Sequence, residues 1–214
     1  MERSVQYDTI LLDLGGVLID VDYHAAARAF AQLGFGEFNA LYSKAKQDHL
    51  FDGFETGAIT PAEFRMKIRA LYGNPISDEQ IDHCWNAMLG GIPQERIALV
   101  KRLREHHQVL LLSNTNAIHV PAFEAIVARE NGIRDFKALF DGAYYSCEVG
   151  MRKPDPGIFR FVLAAHGAAA DRTLFIDDSI QHVEGARKAG LHAEHLELGN
   201  EDVVALIKRL ELLA

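Results

Sequence analysis

The stretch Tyr7 to Asp22, YDTILLDLGGVLIDVD, constrains this chain more than any other. An apolar run, Thr9-Ile10-Leu11-Leu12, stops on an aspartate, Asp13. Gly15 and Gly16 follow, then a second apolar run, Val17-Leu18-Ile19. An unbroken apolar run suits a parallel strand buried on both faces. A carboxylate at the end of such a strand is costly unless it is paired or holds a metal. Glycine lets the backbone turn tightly and approach a ligand closely. Asp13 therefore reads as the reactive group of a phosphate-handling site.

From Asp20 to about Gly91 the periodicity is helical only. A helix is predicted from Tyr23 to Leu33, with Ala26, Phe30 and Leu33 on one face and Gly34 closing it. A second is predicted near Glu37 to Gln47. Thr60-Pro61-Ala62-Glu63 and Ser77-Asp78-Glu79-Gln80 are capping boxes, each opening a helix. Phe64, Ile68 and Leu71 share a face of the first; Ile81, Cys84, Trp85 and Met88 share a face of the next.

After Gly90-Gly91-Ile92-Pro93, helices and strands alternate. A helix from Gln94 to His107 leads to a strand from Gln108 to Leu112 that ends in Ser113-Asn114-Thr115-Asn116. A helix from Val120 to Glu130 leads to a strand around Phe140 to Ser146, followed by Gly150-Met151-Arg152-Lys153-Pro154. The next helix is predicted to put Ile158, Phe161, Val162 and Ala165 on one face. A strand from Thr173 to Ile176 ends in Asp177-Asp178-Ser179. A helix to Lys188, a strand from Ala193 to Leu196 and an amphipathic helix through Val203, Ile207, Leu210 and Leu213 close the chain.

This alternation predicts an α/β fold, a Rossmann-like doubly wound parallel sheet with helices on both faces. Residues 1–19 and 93–214 form the core and residues 20–92 an all-helical insertion. The insertion begins at the carboxyl end of the first strand, where ligands bind in open α/β sheets. A lid is expected there.

Three strand ends carry polar residues that suit the same chemistry. They are Asp13, then Ser113 and Asn114, then Asp177 and Asp178. Three carboxylates in one crevice do not all stay ionised without a cation. An all-oxygen ligand set favours Mg²⁺ over zinc, and Mg²⁺ points to phosphoryl chemistry. Ser113, Asn114 and neighbouring backbone N–H groups are candidates for holding phosphate oxygens. Lys153, in a Gly- and Pro-flanked loop, is a candidate to neutralise both phosphate and nucleophile. Asp13 can then attack phosphorus and form an aspartyl-phosphate.

Four separated motifs now stand together: LDLGGVL from Leu12, LLSNT from Leu111, RKPD from Arg152 and FIDDS from Phe175. In this order they resemble the haloacid dehalogenase (HAD) superfamily of hydrolases, over the whole chain. The insertion looks like that superfamily's helical cap. The strings LSNTN and GMRKP, with FIDDS and EGARKAG, look most like its sugar-phosphatase branch, typified by α-D-glucose-1-phosphate phosphatase. The resemblance implies Asp13 as nucleophile and metal ligand, and Gly15 as a carbonyl ligand. It implies Ser113 and Lys153 as phosphate binders and Asp178 as a direct metal ligand. Asp177 is implied as a second ligand or as a partner behind the ligands. One position departs from the usual pattern. Most phosphatases of the superfamily carry an acid/base aspartate two residues after the nucleophile, and here that position is Gly15. Asp20, Asp22 and His24 are candidates to replace it.

The expected activity is a Mg²⁺-dependent phosphatase acting on a small phosphorylated metabolite. The alternatives are a 2-haloacid dehalogenase on the same scaffold and a catalytically weak Mg²⁺/phosphate-binding module. The net charge of −8 disfavours a nucleic-acid partner. The polar start MERSVQYD and the aspartate that breaks the first apolar run fit neither a signal peptide nor a membrane span. A cytoplasmic monomer or homodimer is expected. Cys84 and Cys147 read as small apolar side chains. His182 reads as a surface or packing histidine, Trp85 as core of the insertion, and Phe54-Glu55-Thr56-Gly57 as a turn.

Overall fold

The computed structural model describes residues 7–34, 49–72 and 75–213. The helix expected near Glu37 to Gln47 lies outside them. The fold centres on a sheet of five parallel strands. They are β1 (Thr9–Leu12), β2 (Gln108–Ser113), β3 (Gly142–Tyr145), β4 (Thr173–Asp177) and β5 (His192–His195), in the spatial order β3-β2-β1-β4-β5. The first strand thus sits in the middle, between β2 and β4. Its alternate side chains serve opposite faces. Ile10 and Leu12 pack with Val109, Leu111, Phe123 and Ile207; Leu11 packs with Leu110, Phe159, Val162 and Val183. Both faces are dry, as the unbroken apolar run requires.

The helices that cover the faces are α5 (Gln94–Leu103), α6 (His119–Asn131), α8 (Pro156–His166), α9 (Ile180–Lys188) and α10 (Val203–Arg209). A single helical turn, α7 (Ser146–Val149), follows β3. Between β1 and α5 lie α1 (Tyr23–Gln32), α2 (Leu50–Glu55), α3 (Pro61–Tyr72) and α4 (Asp78–Asn86). These have an apolar core of their own, built on Phe30, Phe54, Phe64, Ile81 and Trp85. Both capping boxes form. Thr60 N donates to Glu63 Oε2 at 2.8 Å, and Ser77 N to Gln80 Oε1 at 3.0 Å. The two connections to the core run side by side. Asp20 N donates to Gly91 O and Asp22 N to Met88 O.

Three expectations are corrected. Helix α5 stops at Leu103, not His107. Arg104 reaches Asp141 and the carbonyls of Ala138 and Leu139, and the His107 ring bridges Tyr7 O and Leu212 O. The chain must turn there to enter β2. The strand expected from Phe140 to Ser146 is shorter, because Phe140 packs edge-on against Phe136 and Ser146 already begins α7. In α8 the buried stripe is Ile158, Phe159, Val162 and Leu163, while Phe161 is 44% exposed. Two adjacent residues per turn face a sheet, so Phe159 and Leu163 take the places assigned to Phe161 and Ala165.

Candidate active site

The carboxyl ends of β1, β2 and β4 meet, as their order dictates. Asp13 follows β1 directly, and its backbone N–H donates to Ile176 O at 3.0 Å, which ties it to the end of β4. Carboxylate oxygens of Asp13, Asp177 and Asp178 lie within 4.8 Å of one another. Asp13 is 7% exposed and Asp177 fully buried. Lys153 is also fully buried and stands between them. Its Nζ donates to Asp13 Oδ1 at 2.5 Å, Asp177 Oδ2 at 2.6 Å and Leu112 O at 3.0 Å. An ammonium has three N–H donors, and all three are used.

The loop that carries Lys153 is held by Asn114. Asn114 Nδ2 donates to Lys153 O at 2.9 Å, and Lys153 N donates to Asn114 Oδ1 at 2.9 Å. The side chain of Asn114, expected on phosphate, is thus engaged on both atoms in positioning the lysine. Ser113 is buried at the tip of β2 and lines the adjoining cavity. Thr115, two residues on, is pinned to α7, since its N–H donates to Ser146 Oγ and Ser146 Oγ donates to Thr115 O.

Asp177 is saturated by protein donors. Ser179 N donates to its Oδ1 at 2.7 Å, and His182 Nδ1 lies 3.0 Å from each oxygen. His182, read as a packing histidine, therefore touches the site. Burial raises the Asp177 carboxyl, but the Lys153 ammonium and His182 outweigh it and hold it below the usual carboxylate range. Asp13 goes the other way. Burial raises it, Lys153 opposes, and the Asp177 charge adds to the rise. Asp178, half-buried, is raised by burial and then by Asp177. Three carboxylates share one ammonium, and two of them are pushed toward protonation. The cluster has an unmet demand for a cation, and its all-oxygen donors suit a hard one. Gly16 permits this crowding. A Cβ there would run into Asp178 Oδ2, and its φ of 73° is left-handed. Gly15 is different: a Cβ would meet only Val21 Cγ2 at 3.5 Å and Tyr23 Oη at 3.8 Å.

A cavity of about 470 Å³ opens beside the cluster. Gly15 and Ser113 line it from the strand ends, and Tyr23, Glu55 and Trp85 from the insertion. Trp85 is sandwiched between Phe51 and His119, with ring centroids at 5.4 and 5.1 Å and nearly parallel planes. It is both core and cavity wall. His119 Nδ1 lies 2.8 Å from Asn86 Oδ1, and burial pulls its pKa down to about 3, so the ring is neutral. The expected turn 54–57 is the end of α2, and Glu55 faces the cavity.

Of the three candidates for the missing acid/base group, two point elsewhere. Asp20 is exposed and pairs with Arg96 at 2.8 Å. Asp22 caps α1 and pairs with Arg28 at 2.5 Å. His24 does line the cavity, from the exposed first turn of α1.

The motif and fold both have counterparts. The profile of the haloacid dehalogenase-like hydrolase family matches residues 7–190. A D-ribitol-5-phosphate phosphatase of Bacteroides thetaiotaomicron is 27% identical over 89% of this chain and 92% of its own. A HAD family enzyme from the same organism, crystallised with magnesium and inorganic phosphate, superposes with a TM-score of 0.82. It is 37% identical and covers 94% of this chain and 98% of that one. A predicted HAD-like hydrolase from Porphyromonas gingivalis gives a TM-score of 0.84 at 29% identity over 98% of each chain.

Proposed function

The chain belongs to the haloacid dehalogenase-like hydrolase family, and on that premise we propose that it is a Mg²⁺-dependent phosphatase that works through an aspartyl-phosphate on Asp13. The observation that carries this reading is the meeting of Asp13, Asp177 and Asp178 around the buried Lys153 ammonium. Asp13 and Asp178 would hold Mg²⁺ with their carboxylates and Gly15 with its carbonyl. Asp177, saturated by Lys153, Ser179 N and His182, would act by fixing the lysine. Bound there, the ion would neutralise the carboxylates and attract a phosphate. The names of the relatives, phosphatases among them, support the reading.

The residues then divide the work. Lys153 keeps Asp13 oriented and offsets charge as phosphate approaches. Ser113 Oγ and the N–H groups at the tip of β2 receive phosphate oxygens. Asp13 Oδ attacks phosphorus, the bond to the leaving oxygen breaks, and water later cleaves the acyl phosphate. Residues 20–92 serve as the cap, and their side chains choose the substrate. We favour a small sugar or sugar-alcohol phosphate in the cytoplasm, as in the sugar-phosphatase branch. Trp85 Nε1 is buried without a hydrogen-bond partner beside the cavity and would suit a substrate oxygen. Among the described residues no helix is long and apolar enough to cross a membrane.

Phosphate release from p-nitrophenyl phosphate and a panel of phosphorylated metabolites tests the proposal. Turnover should need Mg²⁺, stop with EDTA and vanish in Asp13→Asn. Chloride release from 2-chloropropionate without metal would support the dehalogenase instead. Binding of Mg²⁺ and a phosphate mimic with no turnover on the whole panel would leave a binding module.

A further inference from the structure

The phosphatase reading lacks a proton donor. An alkoxide leaving group needs a proton as its bond to phosphorus breaks, and the water that follows must lose one. Gly15 stands where a carboxylate is usual in such enzymes and brings no side chain. Most groups near the cavity do not meet this need. Tyr23 is 61% exposed, and desolvation and then the Asp178 charge move its phenol up, not down toward neutral pH, so it is too weak an acid. His119 is neutral and its Nδ1 is taken by Asn86. His24 sits on the exposed first turn of α1, open to solvent. Asp20 and Asp22 are paired with arginines away from the cavity.

Glu55 remains. It sits at the last position of α2 and lines the same cavity as Gly15, Ser113 and Trp85. Its Oε2 is buried without a hydrogen-bond partner. Arg152 Nη2 makes an ion pair with that oxygen at 3.0 Å, and Arg152 Nη1 reaches Asp52 one turn earlier on the same helix. The loop that delivers Lys153 thus also holds α2 against the core. The contact is close: a Cβ on Gly57, just past α2, would run into Cys147 O. Among the described residues, the charged and titratable groups that face Glu55 are Arg152 and Lys153 from that loop and Tyr23 from α1. Burial pushes its carboxyl up to about 7 against the opposing pull of Lys153, and the Arg152 guanidinium beside Oε2 also favours its charged form. A carboxyl so tuned both holds and releases a proton near neutral pH.

We propose that Glu55, presented by the helical insertion, is the general acid and base of the reaction, supplying from across the cavity what Gly15 lacks. The inference rests on the phosphatase reading. In the first step Asp13 Oδ bonds to phosphorus and the bond from phosphorus to the substrate oxygen breaks. The Glu55 proton passes to that oxygen and the alcohol leaves. In the second step Glu55 carboxylate takes a proton from water as the water oxygen bonds to phosphorus. The aspartyl P–O bond breaks, and the free Asp13 carboxylate, inorganic phosphate and protonated Glu55 are restored.

The test is Glu55→Gln, close in shape and unable to give a proton, assayed on the full-length protein with Mg²⁺. Its kcat/KM reports the first step alone, so leaving-group dependence isolates the acid. For alkyl phosphates such as glycerol 3-phosphate and ribitol 5-phosphate, kcat/KM should fall about 10²- to 10⁴-fold. For p-nitrophenyl phosphate, whose leaving group needs no proton, it should fall less than about tenfold. The alkaline limb of the wild-type kcat/KM profile for an alkyl phosphate should disappear in the variant. Equal losses on both substrate types, or an unchanged alkaline limb, overturn the proposal and leave the phosphatase reading standing. A wild-type protein that hydrolyses neither overturns both.

Discussion

Replacing Lys153 by methionine should unbalance the whole cluster. The ammonium is fully buried and donates to Asp13, Asp177 and Leu112 O. Methionine is of similar length and satisfies none of them. Two buried carboxylates then face each other with no cation between them. Breaking a buried pair in this way costs about 3–5 kcal/mol. For a chain of this size a kcal/mol is worth about 2–4 °C, so the melting temperature in EDTA at pH 7.5 should drop by about 6–20 °C. The sign with pH follows from the shifts. Lys153 is raised above its usual value, its burial outweighed by Asp13 and Asp177, so its contribution is present at every pH below that value. Asp177 is lowered, by Lys153 and His182 against burial, so its contribution is present above the ordinary carboxylate range and lost as pH falls through the depressed value. The deficit should therefore be full at neutral pH and above and narrow as pH falls toward about 4, because burial raises the variant's unpaired carboxylates and they take up protons on the way down. Added Mg²⁺ should narrow it. Differential scanning fluorimetry of both proteins from pH 3.5 to 8.5 reads all of this. A variant that melts within about 2 °C of wild type in EDTA at pH 7.5 refutes the reasoning.

Two further outcomes follow from neighbouring contacts. His182→Ala removes the ring that lies 3.0 Å from both oxygens of the buried Asp177 and should cost about 1–3 kcal/mol in urea unfolding, because that carboxylate loses a partner. In α8, Phe159→Ala should cost about 3–5 kcal/mol in urea unfolding, and Phe161→Ala less than about 1 kcal/mol, because only the first is buried. Equal costs would contradict the burial pattern.

Much of the site was legible because strand ends are. Apolar runs that stop on Asp13, Ser113 and Asp177 place those residues at one edge once the strands are parallel. The capping boxes at Thr60 and Ser77 were equally readable, since their hydrogen bonds are local. Glu55 was not, because its place is set by how α2 docks on a loop nearly a hundred residues later, through Arg152. His182 was nearer to hand. It lies five residues past Asp177, where a strand-to-helix turn folds the first helical residues back over the strand end. The facing of α8 failed for a different reason. Phe159 with Leu163 and Phe161 with Ala165 are both spaced four apart, and only the sheet decides between them.

The position of β1 in the sheet also governs how the molecule comes into being. Of the five strands, the first to be synthesised is the central one, and its partners are distant: Thr9 pairs with Gln108 on one side and Thr173 on the other. Until the chain has grown past the first, Ile10, Leu11 and Leu12 have no strand to lie against, and until it has passed the second they have only one. Pairing over such separations is slow, because loop closure precedes any gain in contacts. The helices of the insertion are built from nearer neighbours and need less loop closure. Asp13 thus waits for Lys153, 140 residues on, and for Asp177 beyond it. A growing chain carries Asp13 long before it carries the groups that hold and charge it.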